Sequence, residues 1–409
     1  MPATTAQKPA TTSASSTTAH PTATQLKQIC RELADRYLER TGVVQALMAA
    51  ILAGQHSLLL GPPGTAKSEL ARDLTSRITG ARLWEILLSK YTAPTRMFGP
   101  VDVAALVAGR YEQVWDGRAT TAHIGFLDEI FKCGAAALNE LLAFLNERLY
   151  HPESGGDPIA CPLISAITAS NELPTTEESA AIYDRLLVRI EVGYLADPAN
   201  FAQLLRTAVT PAAVAVPTTV SLTDLQAAVT VHVPAIAVPD GVVDAMCTLR
   251  ATLHHAGLVA SDRRWRQSVR LLQASAYLDG RTEVNTNDLA MLTHVLWGTP
   301  AERPTVEREV LQLVNPSARE ALDLLDGIET LAAELDALKG KSAEELSKWA
   351  IEANGKLGKA ARHLDKVRAQ SITDGRSTVT LDQVIDRRRA VQARIMTEAL
   401  GVDASVLNI

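Results

Sequence analysis

Short, continuous apolar runs recur between Gln25 and about Leu195. Five of them predict buried β-strands: SLLLG (57–61), LWEILL (83–88), HIGFLD (123–128), LISAITA (163–169) and LVRIEV (187–192). Two amphipathic segments, ELARDLTSRI (69–78) and GAAALNELLAFLNER (134–148), predict helices between them. Apolar strands that alternate with helices are typical of a parallel sheet covered on both faces. The pattern therefore predicts an α/β domain over 25–196.

The strand signals fade over residues 197–300, where helical patterns take their place. SDRRWRQSVRLLQASAYLDG (261–280) and NTNDLAMLTHVLW (285–297) both predict helices. Ser261 and Asn287 are the predicted N-caps of these helices, because their side chains can accept hydrogen bonds from the first free backbone N–H groups. We expect this region to form a small α-helical lid.

The two ends of the chain differ in character from the middle. Residues 1–24 are almost entirely Ala, Thr, Ser and Pro, and such a segment cannot bury a core, which predicts a disordered tail. Residues 301–409 are charged and helical. Their segments 319–340 and 342–369 predict an antiparallel, coiled-coil-like helical hairpin that is broken near Gly340.

The segment LLLGPPGTAKSELAR predicts a phosphate-binding loop of the Walker A type. A buried strand ends at Gly61, a Gly/Pro loop follows, and Lys67 and Ser68 open a helix. Backbone N–H groups of such a loop and the positive end of the helix dipole attract phosphate. Lys67 can reach the β- and γ-phosphates of ATP, and the Ser68 hydroxyl can hold Mg²⁺.

One position departs from the usual pattern G-x-x-x-x-G-K-[ST], because Ala66 stands where the second glycine is expected. We expect Ala66 to adopt helical backbone angles, so that the loop survives the added methyl group. The predicted cofactor-binding residues are Gly61, Pro62, Pro63, Gly64, Thr65, Ala66, Lys67, Ser68, Glu69 and Asp128.

A second motif of the Walker B type, HIGFLDEI, places two carboxylates at the end of an apolar strand. Asp128 suits the Mg²⁺ shell, through water, together with Ser68. Glu129 suits a base that orients or deprotonates the attacking water. Solvated charges at a strand end are the alternative interpretation, and the position downstream of a phosphate-binding loop favours the catalytic one.

Polar residues after the next two strand signals complete the predicted catalytic set. Asn171 ends the strand in ISAITASNELP and is placed to hold the lytic water, although an Asn turn or cap is the alternative. Arg185 and Arg189 lie in AAIYDRLLVRIEV, and either is a candidate arginine finger that stabilises γ-phosphate charge. Pairing of Arg185 with Asp184 or Glu178 on a solvated face is the alternative.

Composition narrows the class of protein. The chain has 409 residues, and its low aromatic content of 4% suits packed helices. Its net charge of −6 argues against a dedicated nucleic-acid binder, which needs a basic face. The basic run in IDRRRAVQAR is read as a solvated helix face that pairs with acids such as Asp382 and Asp386. Four cysteines without a CxxC pair suggest reduced thiols in the cytoplasm. Val43–Leu60 is read as a buried helix and a strand, not a membrane span.

Five motifs in this order resemble the MoxR family of AAA+ ATPases, with the RavA-type branch as the nearest match. They are GPPGTAKS, GFLDEI, ASNELP, YDRLLVR and SDRRWRQSVRLLQASA. The resemblance covers about Gln25 to Trp297. It implies a five-stranded parallel sheet with a helical lid and a hexameric ring that binds nucleotide between neighbouring subunits. It also implies a partner protein with a von Willebrand factor A domain.

The resemblance assigns roles to three arginines and two loops. Arg185 in YDRLL matches the arginine finger that acts in trans, and Arg263 or its neighbour Arg264 matches the sensor-2 arginine of the lid. Residues 89–117 match an insertion in helix 2, and residues 148–162 match a hairpin before sensor 1. The C-terminal region departs from the RavA pattern, because it shows helices and too little β pattern for the discoidal module of that branch.

These observations predict an ATP-hydrolysing enzyme that forms a ring and remodels partner proteins in a chaperone-like manner, with ATP and Mg²⁺ as cofactors. A nucleotide-gated scaffold that recruits partners with little turnover is the alternative, and the intact pair Asp128–Glu129 argues against it. A DNA-remodelling motor is a further alternative, which the acidic net charge disfavours.

Overall fold

A computed structural model describes residues 20–152, 155, 157–209, 216–338, 342–373 and 378–402. The α-helices of these ranges are α1 Pro21–Arg36, α2 Thr41–Leu52, α3 Lys67–Ser76, α4 Pro94–Phe98, α5 Val103–Val107, α6 Ala135–Glu147, α7 Glu177–Arg185, α8 Pro198–Val209, α9 Leu222–Ala227, α10 Asp240–His255, α11 Asp262–Leu278, α12 Arg303–Val314, α13 Pro316–Ala337, α14 Ala343–Thr373 and α15 Val379–Glu398. The strands are β1 His56–Leu60, β2 Ile78–Thr79, β3 Leu83–Leu87, β4 Ile124–Asp128, β5 Leu149–Tyr150, β6 Ile159–Ala160, β7 Ser165–Ser170, β8 Leu186–Glu191 and β9 Val220–Ser221.

A five-stranded sheet, with its strands in the order β3-β4-β7-β1-β8, forms the centre of the predicted α/β domain. Every neighbouring pair in it is parallel. All five predicted strands are present within one or two residues of their predicted bounds. The central strands β1 and β7 are buried at every position, which explains why their sequences are apolar runs without alternation. The α/β prediction is confirmed.

Helices cover the sheet, and their burial follows the apolar spacing of the sequence. α2 buries nine of its residues, from Val43 to Leu52. α6 buries Leu138, Leu141 and Leu145 on the predicted face, together with Phe144. Phe144 is fully buried and meets the ring of Trp84 edge-on, with ring centroids 6.2 Å apart. Helix α6, which follows Asp128 and Glu129 in the chain, is therefore anchored in the core.

The segments 89–117 and 148–162 contact each other through Tyr150. The ring of Phe98 stacks on Tyr150 with centroids 4.7 Å apart, and the buried Gln113 donates from Nε2 to the Tyr150 hydroxyl at 3.3 Å. The first segment contains the short helices α4 and α5. The second is a hairpin in which β5 pairs antiparallel with β6, as its Gly/Pro/Ser cluster predicts.

Two local predictions need correction. Helix α1 begins at Pro21, so the last residues of the predicted tail 1–24 are helical, and residues 1–19 lie outside the described ones. The helical turn before His294 is a 3₁₀-helix, and its N-cap is Asn285, not Asn287. Asp288 accepts a hydrogen bond from the Asn285 backbone N–H at 2.8 Å, which completes a capping box around Asn285. The predicted cap of α11 is present, since Ser261 Oγ accepts from the N–H of Arg264.

The chain divides into two compact units, one with residues 1–242 and 260–295 and the other with 243–259 and 296–409. In the second unit, α13 and α14 correspond to the predicted hairpin, and the predicted break at Gly340 lies outside the described residues. A third long helix, α15, completes a bundle whose core includes Leu335, Leu357 and Ile395. The predicted helical hairpin is therefore part of a larger helical bundle.

Surface charges of this bundle are largely paired. Arg387 makes an ion pair with Glu329 at 2.6 Å, and Arg389 lies 3.6 Å from Asp386. Arg388 is only 8% exposed. The basic run is therefore divided between ion pairs and the bundle interior. None of the described helices is long and apolar enough to cross a membrane.

Candidate active site

Three adjacent strands of the sheet end at one cleft. Because β4, β7 and β1 are neighbours and run parallel, the residues that follow them meet at the carboxyl edge of the sheet. The cleft measures about 320 Å³, and twelve residues line it: Pro63, Gly64, Thr65, Ala66, Lys67, Ser68, Glu69, Arg72, Asp128, Glu129, Ser170 and Asn171. The topology thus brings the predicted loop, the two carboxylates and Asn171 together.

The loop after β1 is shaped by a glycine that no other residue can replace. A Cβ atom on Gly61 would lie 2.1 Å from the carbonyl oxygen of Val192, which is backbone and cannot move aside. The Gly61 N–H also donates to the carbonyl of Ser170 at 3.0 Å, which fixes the start of the loop to β7. Gly61 therefore serves close backbone packing.

Lys67 opens α3 and lies over the loop. Its Nζ donates to the carbonyl oxygens of Gly61 and Pro62, both at 2.8 Å. Burial lowers the pKa of Lys67, and the nearby carboxylates of Asp128 and Glu129 oppose that shift. The ammonium group is thus a partly buried cation at the positive end of a helix, which is a site for phosphate.

Ala66 differs from the expectation. Its backbone angles are φ 61° and ψ 22°, in the left-handed region, so the prediction of helical angles was wrong. The loop requires this conformation of the residue before Lys67, which is why a glycine is usual there. The loop shape survives, but an L-residue in it carries strain of about 1–2 kcal/mol.

Two oxygen donors face each other across the cleft. Ser68 Oγ lies 3.4 Å from Asp128 Oδ2, and Asp128 Oδ1 accepts the backbone N–H of Glu129 at 3.0 Å. Mg²⁺ prefers oxygen ligands, and it is usually bound by one or two protein groups together with phosphates and water. A hydroxyl and a carboxylate beside a phosphate cradle fit that ion.

Glu129 occupies a strained position after β4. Its φ is 57°, and Oε1 forms an ion pair with Lys132 at 3.2 Å. The other oxygen, Oε2, is buried and has no hydrogen-bond partner among the described residues. A buried carboxylate oxygen without a donor is suited to accept a proton from a small polar molecule in the cleft.

Asn171 follows β7 directly and is exposed to the cleft. The preceding residue, Ser170, turns its hydroxyl to the carbonyl of Glu172 at 2.8 Å, which fixes the turn after the strand. Asn171 therefore lines the same cleft as Glu129.

The structure separates the candidate arginines by burial. Arg264 is 4% exposed and donates to the carbonyls of Leu187 and Val295, at 2.8 Å and 2.5 Å. Burial lowers its pKa to about 9. Arg189 is 3% exposed, and its guanidinium lies 3.6 Å from the centre of the Tyr183 ring. Both side chains hold the fold together.

Arg185 and Arg263 lie closer to the surface, and neither lines the cleft. Arg263 donates to the Asp184 carboxylate at 2.5 Å and to its carbonyl at 2.9 Å. Arg185 donates to the carbonyl of Ala181 at 2.8 Å. Burial and the charge of Arg263 lower the pKa of Arg185. In the alternative interpretation Arg185 pairs with Asp184, but it is Arg263 that makes the ion pair with this carboxylate.

An apolar cavity that sequence reasoning missed adjoins the cleft. It measures about 670 Å³ and shares Gly64, Thr65, Ala66 and Glu69 with the cleft. Its apolar walls come from Tyr37, Leu38, Tyr194, Phe201 and Leu204. The apolar spacing in DPANFAQLLRT could have predicted the helix α8. The cavity itself could not be predicted, because other lining residues such as Tyr37 and Leu38 lie far away in the sequence.

Two family models match parts of the chain. The model described as "MoxR domain in the MoxR-vWA-beta-propeller ternary systems" matches residues 24–227, and an AAA lid domain matches residues 241–310. The two matches cover the sheet, the cleft and the helices that follow. They carry no statement about the RavA-type branch.

Several proteins are similar over much or part of the chain. Two uncharacterized proteins of Methanocaldococcus jannaschii, MJ0079 and MJ0812, are each 33% identical. These matches cover 88% and 85% of this chain and 94% and 90% of theirs. The structural protein ORF618 of Acidianus two-tailed virus is 30% identical over 177 residues, 42% of this chain and 27% of its own. A crystal structure of a candidate ATPase from Cytophaga hutchinsonii aligns with a TM-score of 0.58 at 18% identity, over 72% of this chain and 95% of that one. This last likeness shows the fold alone.

Proposed function

Because the chain belongs to the MoxR family of AAA+ ATPases, we propose that it is an ATP-hydrolysing motor that assembles as a ring and remodels partner proteins. The observation that carries the proposal is the meeting of Lys67, Ser68, Asp128, Glu129 and Asn171 in one cleft at the carboxyl edge of the sheet. The partly buried cation and the buried carboxylate oxygen face the same space, as phosphoryl transfer to water requires.

Each residue of the cleft receives a role in hydrolysis. Lys67 and the loop backbone hold the β- and γ-phosphates, and Ser68 and Asp128 would hold Mg²⁺, which neutralises phosphate charge when bound. Glu129 Oε2 accepts a proton from the attacking water while the amide of Asn171 orients it. The water oxygen then bonds to the γ-phosphorus, and the bond to the β-phosphate oxygen breaks, which releases ADP and phosphate. The adenosine occupies the adjoining apolar cavity.

The positions of Arg185 and Arg263 support a ring. They lie side by side around Asp184 and outside the cleft of their own chain, and two guanidinium groups beside one carboxylate leave a net positive charge for a neighbouring subunit. We assign both to the γ-phosphate that the neighbour binds, with Arg185 as the arginine finger and Arg263 beside it. Arg264 and Arg189 are excluded from this role by their buried contacts with the backbone and with an aromatic ring.

The partner follows from the description of the matching family. Because that description names ternary systems of a MoxR domain, a von Willebrand factor A domain and a β-propeller, a protein with a von Willebrand factor A domain is the proposed partner. The proposed compartment is the cytoplasm, in keeping with four cysteines that form no disulfide.

The first test is steady-state ATPase activity of the wild type and Glu129→Gln, with light scattering after size exclusion with and without ATP. We expect Glu129→Gln to lose at least about 100-fold in kcat, because a positioned base contributes that much or more. Its ATP-dependent assembly should persist. Wild-type turnover in Glu129→Gln would refute the assignment of the base, and assembly without wild-type turnover would favour the scaffold.

Mixing two inactive variants tests the action of Arg185 in trans. A site that combines the cleft of an Arg185→Ala subunit with the arginine of a Glu129→Gln subunit has both groups intact. We therefore expect mixed rings to regain ATPase activity that neither variant shows alone. If Arg185 acts within its own chain, mixing restores nothing.

A further inference from the structure

The turn between α1 and α2 contains a residue in a strained conformation, outside the catalytic cleft. Glu39 has a φ of 60°, in the left-handed region. Non-glycine residues adopt this region at a cost, and such strain persists only where surrounding contacts determine it. The contacts of Glu39 therefore indicate what the conformation serves.

The Glu39 carboxylate binds the residues that lead into α8, far away in the sequence. Its Oε2 accepts the N–H of Ala196 and its Oε1 accepts the N–H of Asp197, both at 2.9 Å. Oε1 also accepts from Nδ2 of Asn200 at 3.1 Å. These hydrogen bonds lower the pKa of Glu39. Together they fix the two residues before α8, and Asp197 in turn caps the helix by accepting the N–H of Ala199 at 2.8 Å. The negative charge of Glu39 near this end also interacts favourably with the helix dipole.

The side chains of helix α8 pack only lightly against the rest of the described structure. None of its residues is buried, and Phe201 and Leu204 are about half exposed, at 52% and 50%. These two side chains line the apolar cavity together with Tyr37 and Leu38, which come just before Glu39 in the chain. The hydrogen bonds of Glu39 thus join the two chain segments that line the cavity.

We propose that Glu39 is a positioning residue that fixes α8 beside the cavity, so that the base of ATP enters a preformed pocket. This inference rests on the proposed function. A preformed wall spares the ligand the cost of ordering α8 during binding. The carboxylate touches neither the phosphates nor the attacking water, so its loss weakens binding of ATP and leaves the chemical step intact.

The test measures KM and kcat of ATP hydrolysis, and the Kd of ATP, for three variants. Glu39→Ala removes the carboxylate, and Glu39→Gly removes it and also relieves the backbone strain. We expect both to raise KM and Kd about fivefold with kcat unchanged, the size of a lost helix cap. Glu39→Gln keeps one carbonyl acceptor and should fall between them and the wild type. Asp35→Ala, which removes an exposed carboxylate of α1 that makes no hydrogen bond to α8 among the described residues, should behave as wild type.

Hydrogen exchange supplies a readout on the helix itself. Amides of 199–209 should exchange about fivefold faster in Glu39→Ala than in the wild type without nucleotide, and ATP should slow them in both. Unchanged KM and unchanged exchange in Glu39→Ala and Glu39→Gly would overturn the role of Glu39 alone. A wild-type protein that fails to bind ATP would refute the proposed function and this inference with it.

Discussion

Replacement of Ala66 by glycine should stabilise the nucleotide-binding unit, although it removes a methyl group from the start of a helix. The left-handed angles of Ala66, φ 61° and ψ 22°, cost an L-residue about 1–2 kcal/mol, and glycine avoids that cost. Glycine also lowers the free energy of unfolding by about 0.4–1 kcal/mol, because it has more conformational freedom in the unfolded chain. The difference is a net stabilisation of about 0.5–1 kcal/mol.

The assay is native-state hydrogen exchange of the amides of β1, which is buried at every position and reports global opening of the unit. We expect Ala66→Gly to slow this exchange by a factor of about two to five, which corresponds to the free energy above. Ala180→Gly is the matched control. Ala180 is exposed in the helix α7, where glycine costs about 1 kcal/mol, so exchange should become faster.

The opposite signs of the two variants make the test decisive. If Ala66→Gly accelerates exchange as Ala180→Gly does, residue 66 has helical angles and the argument from strain is wrong. If it slows exchange, the loop holds an alanine in a conformation that favours glycine. The shape of the phosphate cradle, not the residue type, is then what the motif requires.

Two further predictions concern stability. His56 is buried, and its Nε2 donates to the carbonyl of Leu145 at 2.7 Å. Burial lowers the pKa of His56 to about 3. The unfolded chain therefore binds a proton that the folded one refuses as pH falls below about 6.5, and stability should fall by roughly 1.4 kcal/mol per pH unit between pH 6 and pH 4. When the free energy of unfolding is measured with urea at each pH, it should fall less steeply with pH in His56→Gln than in the wild type. Equal pH dependence in the two proteins would contradict the argument. Gly61→Ala should destabilise the unit by more than about 3 kcal/mol because of its contact with Val192, whereas Gly64→Ala, which meets no atom within 4 Å, should cost only about 1 kcal/mol of strain. Similar urea midpoints for the two glycine variants would refute this difference.

Much of the fold could be predicted because burial on both faces leaves a direct trace in the sequence. β1 and β7 are buried at every position, so their apolar runs identify them without any alternation. The site followed from the same logic. The chemistry of a parallel sheet collects where strands end, and Asp128 and Asn171 each stand at the end of an apolar run.

Local choices between equivalent residues could not be predicted. Asn285 precedes the 3₁₀-helix and Asn287 is its second residue, and the sequence alone allows either asparagine as the cap. Asp288 decides between them, because Arg281 holds its carboxylate at 2.6 Å while it accepts the N–H of Asn285. The ion pair with Arg281 is a tertiary contact that no short window of sequence reveals.

The arginines mark the limit of sequence reasoning most clearly. Arg185 and Arg189 lie four residues apart, yet one ends a helix near the surface and the other is buried in β8 between apolar neighbours. The apolar context of Arg189 was a readable signal of burial, because a strand that is covered on both faces buries whatever it carries. Arg263 and Arg264 are adjacent on α11, so their side chains point in different directions, and the structure commits Arg264 to backbone carbonyls. What remains near the surface is one arginine from each pair, and Asp184 brings the two together. This cluster carries a net positive charge and lies outside the cleft of its own chain. It can take part in catalysis only if a second subunit supplies the phosphate. The mixing experiment therefore tests the ring and the arginines at once.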